Sequence, residues 1–178
     1  MSEEIPVPEY TRYYPSPVGL LELKASDTGL RSVLFRFEHD PLLVTDTASL
    51  IVNQAVAELD AYFAGTLKSF KVPLDMQGTD FQLVVWKELL FIPFGQTISY
   101  LQLAKRVGDL HSTRAVGNAN GKNPLSIIVP CHRVIGSNGK LIGYGGGMEN
   151  KRWLLEFERN LTTKDLFNSM LPDPAHGE

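Results

Sequence analysis

One short segment of the chain concentrates side chains that can do covalent chemistry. Cys131, His132 and Arg133 are consecutive, and Cys131 is the only cysteine among 178 residues. The thiolate is the nucleophilic form of cysteine, and neighbouring cationic groups favour it over the thiol. The segment therefore predicts an ionisable, accessible and reactive cysteine. The alternative is an inert cysteine that fills the core, because free cysteine is among the most buried residue types.

The adjacent histidine is a candidate general base. On a regular strand, however, the side chains of Cys131 and His132 would point to opposite faces. Direct activation of the thiol thus requires a backbone turn between the two residues or a bridging water. A histidine base also needs an acceptor for its other ring nitrogen, and the candidates are Glu149, Glu156 and Glu158 on the last predicted helix.

Composition limits the class of protein. A content of 43% hydrophobic and 10% aromatic residues is sufficient for a folded core of one or two domains. The single cysteine cannot form an internal disulfide, and no segment approaches the roughly 20 apolar residues of a membrane span, so we expect a cytoplasmic protein without a membrane partner. The dispersed histidines and the glycine clusters match no metal-ligand, phosphate-loop or dinucleotide spacing, so no metal and no cofactor are expected.

Charge is distributed unevenly along the chain. Residues 1–80 contain 6 Lys and Arg against 12 Asp and Glu, whereas residues 100–140 contain 6 Lys and Arg against one Asp. Such a local excess is typical of a phosphate-binding face, although an ordinary solvated surface is the alternative.

The N-terminal pattern predicts a small antiparallel sheet followed by one helix. The segments "GLLELKAS" and "LRSVLFRFE" alternate in period two and are separated by a turn-forming tetrad. Residues 47–65 have helical periodicity with Thr47 or Ser49 as the cap. The predicted inner face of this helix comprises Leu50, Ile51, Ala55, Leu59 and Phe63. A domain boundary is predicted near Gly78.

The C-terminal pattern is mostly helical. "TDFQLVVWKELLFIPFG" predicts a helix capped by Thr79 or Asp80 that ends before Pro93. "ISYLQLAKRVG" and "STRAVGNANG" predict two short helices joined by residues 109–111, a helix-turn-helix candidate. "LSIIV" predicts a buried strand and "SNGKLIGYGGG" a glycine-rich hairpin or loop. "MENKRWLLEFERN" predicts a final amphipathic helix. The inward residues predicted for the first and last of these helices are Phe81, Val84, Val85, Leu89 and Leu90, and Trp153, Leu154 and Phe157.

Four ordered blocks resemble one known family. "FGQTISYLQLA", "RAVGNANGKNP", "PCHRVIG" and "GYGGG....RWLLEFE" are similar to segments of the O6-alkylguanine-DNA alkyltransferases, also called methylated-DNA-protein-cysteine methyltransferases. The resemblance covers residues 79–158 closely and the N-terminal part weakly. It implies an α+β fold, with a ribonuclease H-like α/β domain at 1–78, a mostly helical domain with a helix-turn-helix at 79–165, and a tail at 166–178.

The resemblance also implies a reaction. In this family a cysteine takes the alkyl group from O6-alkylguanine in DNA, once per protein molecule, with O4-alkylthymine as a second candidate substrate. By resemblance Cys131 is the acceptor, His132 is the base acting through a water, and Glu158 orients His132. Asn123 would brace the cysteine segment, and the hydroxyl of Tyr100 would donate to the guanine ring.

The expected partner is double-stranded DNA carrying an alkylated base. The family binds the minor groove and extrudes the base, and an arginine, here Arg114, fills the gap in the stack. The remaining DNA contacts expected by resemblance are Ala115, Gly117, Asn118, Ala119 and Lys122, and the expected substrate pocket comprises Ser126, Val134, Tyr144, Gly145 and Gly146. Ser126 stands where some members have proline, which suggests a roomier pocket. We expect a monomer, with clustering along DNA as an open alternative.

Three other functions are compatible with parts of the pattern. Non-catalytic alkyltransferase-like proteins recognise damaged bases but carry tryptophan at the position of Cys131. A helix-turn-helix regulator would bind duplex DNA by sequence and would not need the thiol. A cysteine hydrolase would need His39 or His111 as its base and would turn over many substrates.

Overall fold

A three-stranded antiparallel sheet forms the N-terminal part. The computed structural model describes residues 9–37, 47, 49–108 and 113–170, with side chains described to residue 167. Strands β1 (Tyr10–Ser16), β2 (Gly19–Ala25) and β3 (Leu30–Arg36) follow the order β1-β2-β3. The predicted sheet is therefore confirmed, and its inner face is formed by the fully buried Leu21, Leu23 and Val33.

Helix α1 (Leu50–Phe63) packs on this sheet. Ser49 caps it by accepting a hydrogen bond from the Val52 amide, as one of the two predicted caps. The predicted inner face is wrong in part, because Leu50 is 89% exposed and Phe63 is only half-buried. Spacings of three and four residues both fit a helix, and the sequence alone does not choose between them. The buried stripe comprises Val52, Ala55, Leu59 and Tyr62.

Helix α2 (Asp80–Leu89) begins with a capping box between Thr79 and Gln82, which confirms the predicted start. Its predicted face is also rotated. Phe81, Val84 and Leu90 are exposed, whereas the buried residues are Val85, Trp86 and Leu89.

Two short helices follow, as predicted. Helix α3 (Tyr100–Arg106) and helix α4 (Thr113–Gly121) contact each other and α2. The predicted connection at residues 109–111 lies outside the described residues. A short parallel pair, β4 (Ile98–Ser99) with β5 (Val134–Ile135), joins the start of α3 to the chain just after the cysteine segment.

The segment "LSIIV" is buried but is not a strand, so that prediction is wrong. Ile127 has a positive φ of 73°, and the Val129 amide donates to the Leu125 carbonyl in a tight turn. Only a single bridge forms to the sheet, with the Val33 amide donating to Pro124 O and the Ser126 amide donating to Val33 O. An apolar run of five residues signals burial, and periodicity cannot distinguish a strand from a folded-back turn.

Helix α5 (Met148–Met170) closes the fold and continues across the boundary predicted at 166. Leu154 is buried and Phe157 is half-buried, but Trp153 is 36% exposed and stacks on Phe157, so its predicted inward position is wrong. Residues 166–170 of the predicted tail belong to α5, and its remaining residues, 171–178, lie outside the described residues. The α+β class is confirmed. In the part of the chain that the structure describes, each helix is too short or too polar to cross a bilayer.

Candidate active site

The cysteine segment turns sharply where a strand was predicted. Cys131–Arg133 form a short 3-10 helix, so Cys131 and His132 do not alternate across a sheet. The side chain of Asn123 holds the chain just before this segment. Its Nδ2 donates to Val129 O at 2.8 Å, and its Oδ1 accepts from the Leu125 amide at 3.0 Å. This geometry fits the bracing expected of Asn123.

Glu158 lies at the centre of a buried hydrogen-bond cluster. Its Oε1 is 2.8 Å from Nε2 of His132 and accepts from the Tyr62 hydroxyl at 2.7 Å and from Nη2 of Arg133 at 2.9 Å. Its Oε2 accepts from Nε of Arg133 at 2.9 Å and from the Gly95 amide at 3.0 Å. Glu158, His132 and Tyr62 are fully buried, and Arg133 is 5% exposed. Five donors therefore surround one carboxylate.

This cluster fixes the charges of its members. Burial by itself would raise the pKa of Glu158, but electrostatic interactions and hydrogen bonds with His132 and Arg133 outweigh it and hold that pKa far below its usual range. Burial lowers the pKa of His132, against the opposing attraction of Glu158. The arginine is the permanent cation of the cluster. The resting state is thus an ionised Glu158, paired with Arg133 and bonded to a neutral His132.

The expectation that His132 and Arg133 make Cys131 acidic is wrong. Both side chains are directed to Glu158, and burial raises the pKa of Cys131, with Asn123 and Lys151 opposing the rise. The residue is 5% exposed, so the expected accessible thiol is also wrong in this conformation. At neutral pH the group is a thiol that needs a base.

Lys151 is a functional candidate that sequence reasoning missed. Its side chain is fully enclosed, and its Nζ donates to Ile142 O at 2.8 Å and lies 5.8 Å from the centre of the Tyr100 ring. Burial lowers the pKa of Lys151 to about 8, and the thiolate form of Cys131 would oppose the fall. The spacing from Lys151 to Glu158 is two helical turns, which places both on one face of α5, and this signal was present in the sequence.

A cavity of about 580 Å³, within the usual range of ligand pockets, is lined in part by two tyrosines that lie near Cys131. Tyr100 and Tyr144 form two of its walls, and the pKa of each is raised, by burial first and then by the nearby Cys131. Cys131 itself does not line the cavity. The other lining residues are Thr113, Arg114, Gly117, Gly121, Gly136, Ser137, Ile142, Gly143 and Gly145.

Helix α4 presents most of the expected DNA contacts on one surface. Arg114, Ala115 and Asn118 on the helix and Lys122 just after it are exposed, and Gly117 is half-buried against the Tyr100 ring. The expected DNA contact of Ala119 is not supported, because the residue is 2% exposed and its carbonyl accepts from the Trp86 indole at 2.8 Å. It packs α4 on α2 and does not reach the surface.

The expected substrate pocket is only partly assembled from the predicted residues. Tyr144 and Gly145 line the cavity, whereas Val134, Ser126 and Gly146 are buried and do not line it. Gly146 is a packing residue, since a Cβ there would lie 2.4 Å from Cε2 of Phe35 in β3. The predicted bases of a hydrolase, His39 and His111, lie outside the described residues.

Two family models match the chain. The ribonuclease-like domain of 6-O-methylguanine DNA methyltransferase matches residues 10–76, and the DNA-binding domain of the same family matches residues 80–160. The methylated-DNA–protein-cysteine methyltransferase of Mycobacterium bovis is 59% identical over 158 residues, which cover 87% of this chain and 95% of the relative.

Solved structures agree with this match. The O6-methylguanine methyltransferase of Mycobacterium tuberculosis superposes with a TM-score of 0.79 at 46% identity, covering 91% of this chain and 99% of that protein. A second structure, of the Mycobacterium tuberculosis protein OGT in complex with DNA, has a TM-score of 0.78 at 47% identity and covers 85% of this chain and 94% of that one.

Proposed function

The chain belongs to the 6-O-methylguanine DNA methyltransferase family and repairs alkylated DNA by direct transfer of the methyl group to a cysteine, and we propose that this acceptor is Cys131. The observation that carries the proposal is that the chain has one cysteine, which precedes His132 of the Glu158 cluster and lies near Tyr100 and Tyr144, two walls of a base-sized cavity. The product is a stable thioether on the only cysteine of the chain, and no second thiol remains to react. Each molecule therefore reacts once.

The residues around Cys131 suggest how the thiolate forms. Nδ1 of His132 is buried and has no hydrogen-bond partner among the described residues, while Nε2 faces Glu158. A neutral imidazole in this orientation can take the thiol proton on Nδ1, directly or through a water. Glu158 then stabilises the imidazolium. The positive charge of Lys151 favours the thiolate once it has formed.

The transfer itself is an in-line displacement. A bond forms between Sγ of Cys131 and the alkyl carbon as the bond from that carbon to O6 breaks, and the electron pair of the broken bond passes to the guanine. Because its pKa is raised, Tyr100 stays protonated and can donate to the departing base. In the structure its hydroxyl donates to Ile142 O at 3.1 Å, so base entry would exchange one acceptor for another.

DNA is the partner, and we propose that α4 enters the minor groove. The helix offers small exposed residues, Ala115 and Asn118, for close approach, and Arg114 lies both on that surface and at the cavity. Extrusion of a base costs roughly a few kcal/mol, and an inserted Arg114 would offset part of it by filling the gap. Because the site is complete within one chain, we propose that the protein acts as a monomer.

We also propose two domains that meet near Gly78, and a cytoplasmic location. Residues 77–79 lie between the two matched family models. A protein whose single thiol must stay reduced suits a reducing compartment.

Intact-mass spectrometry after incubation with an O6-methylguanine duplex tests the assignment. We expect one added methyl group per molecule, located at Cys131 by peptide mapping, and one guanine restored per protein. A methyl group on another residue, or several guanines restored per molecule, would contradict it.

A further inference from the structure

A tyrosine of the N-terminal part reaches into the cluster around Glu158. The Tyr62 hydroxyl on α1 donates to Oε1 of Glu158 on α5 at 2.7 Å, although 96 residues separate the two in sequence. This is the same oxygen that lies 2.8 Å from Nε2 of His132. Tyr62 and His132 therefore share one acceptor atom.

The ring of Tyr62 is held from several elements, so its hydroxyl has little freedom. It packs against neighbouring rings of α1, of the loop at Phe70, of the turn at Phe94 and of α5, with centroid distances of 5.1–5.9 Å. Burial, with Glu158 next in importance, raises the pKa of Tyr62 well above its ordinary value. The hydroxyl thus remains a donor throughout the pH range of activity.

We propose that Tyr62 is a positioning residue for methyl transfer: its hydroxyl fixes Oε1 of Glu158 and weakens that oxygen as the acceptor for His132. The inference rests on the proposed function, in which His132 takes the thiol proton. A carboxylate oxygen that already accepts from Tyr62 and Arg133 has less negative charge to offer an imidazolium. Loss of the Tyr62 hydroxyl would make Glu158 more basic and His132 easier to protonate.

The ionisable groups that face the His132–Glu158 pair come from four elements. They are Tyr62 on α1, Cys131 and Arg133 in the 3-10 helix, Tyr144 in the glycine-rich loop and Lys151 on α5. Arg133 is charged throughout, and the hydroxyl of Tyr144 is protonated because its pKa is raised. Removal of the Tyr62 hydroxyl changes the acceptor strength of Glu158 and leaves these other groups in place.

The test is the pH dependence of the single-turnover rate for the wild-type protein and Tyr62→Phe. We expect the acid limb of the profile to move to higher pH by about 0.5–1 unit, which lowers the rate below the midpoint roughly 3- to 10-fold. The matched control is Tyr14→Phe, which removes a 2.7 Å tyrosine–carboxylate hydrogen bond to Asp60 on the same helix, away from the cluster. Its midpoint should stay unchanged. A Tyr62→Phe profile that is lowered uniformly, with its midpoint unmoved or shifted down, would overturn the proposal.

Two further measurements cover loss of folding and loss of the proposed function. Replacement of Tyr62 by 3-fluorotyrosine preserves the packing and strengthens the donor, so the acid limb should move to lower pH; an unmoved limb or an upward move would overturn the proposal. NMR titration of the His132 ring needs no substrate. An upward pKa shift in Tyr62→Phe supports the inference even if Cys131 is never methylated, and an unshifted titration refutes it even if transfer is normal.

Discussion

The two sides of Cys131 are built on different principles. On the inner side, Glu158, His132 and Arg133 are closed off from solvent, and each oxygen of the carboxylate has at least two donors. On the outer side, a 580 Å³ cavity is walled by Tyr100 and a loop rich in glycine. Groups that move a proton need fixed geometry, whereas a surface that admits a large base from DNA needs room and exchangeable hydrogen bonds. We therefore expect substitutions on the inner side to lower both the rate of methyl transfer and the stability of the protein. Substitutions on the outer side should change the binding of DNA and of the alkylated base.

Cys131→Ser tests the atom between the two sides and has the largest expected effect. Transfer of the methyl group should fall below detection, because a hydroxyl with this base is a far weaker nucleophile than a thiol. Binding to DNA should persist, since the outer surface is unchanged. Mass spectrometry and a gel-shift assay check the two halves, and methyl transfer by the variant would rule out the assignment.

Glu158→Gln probes the inner side. It leaves Arg133 buried without a counter-charge, which typically costs 3–5 kcal/mol of stability, and it should also slow transfer because the acceptor for His132 is no longer charged and stabilises the imidazolium less. Urea unfolding measures the loss. The control is Asp75→Asn, whose carboxylate lies 2.8 Å from Nε of Arg31, close to the 2.9 Å of the Arg133–Glu158 pair, but with 23% exposure on both sides, so about 1 kcal/mol or less is expected. Equal losses in the two variants would break the comparison.

Arg114→Ala probes the outer side. We expect repair of duplex DNA to slow roughly 10- to 100-fold, because the few kcal/mol needed for base extrusion would no longer be partly offset. Reaction with the free alkylguanine base should be unchanged, as should the stability of the protein. Arg159→Ala, which removes the same charge from α5, is the control. Equal losses on duplex and free base would contradict the extrusion role.

Ser126→Val tests whether a small buried residue behind Tyr144 leaves room for larger adducts. The benzyl-to-methyl rate ratio should fall roughly 10-fold, the lower end of what one or two extra carbons change in a pocket. Valine keeps the amide that bonds to Val33 O, which proline would remove. Ser126→Ala should leave the ratio unchanged, and an unchanged ratio in Ser126→Val would end the hypothesis.

The smallest expected effect is the contribution of His132, on the inner side, to the pH dependence of stability. The pKa of His132 is lowered by folding, so the unfolded chain binds this proton more readily and stability falls as pH drops through about 6.5, the unperturbed value. One proton contributes at most about 1.4 kcal/mol per pH unit. Unfolding by urea at several pH values should show a shallower slope in His132→Gln. An identical slope would mean that His132 is not held neutral.

Local signals predicted the elements but not their faces. The period-two segments gave the sheet, and Ser49 and Thr79 marked the starts of α1 and α2 because capping is decided within three residues. The exposed Leu50 and Phe81 were misplaced because helical periodicity tolerates a rotation of about one residue, and tertiary contacts select the face.

The candidate site shows the same division between near and distant signals. Glu158 was one of three acidic residues on a predicted helix, and only the resemblance to a family selected it. No role was predicted for Tyr62, because its partner is 96 residues away and tyrosine on a helix is ordinary. The direction of Arg133 was misjudged because adjacency in sequence does not show which group a side chain reaches.

The contact between Gly146 and Phe35 links the cavity to the far end of the chain. A ring of the N-terminal sheet occupies the space of a missing side chain and also meets the Tyr144 ring edge-on, with centroids 5.7 Å apart. The side of the cavity formed by Tyr144 is thus supported by a residue of the N-terminal sheet, not by the C-terminal part that contains α4. Shortening the protein to the matched segment 80–160 would remove Phe35. The position of Tyr144, and with it the width of the cavity, would then no longer be fixed by that contact.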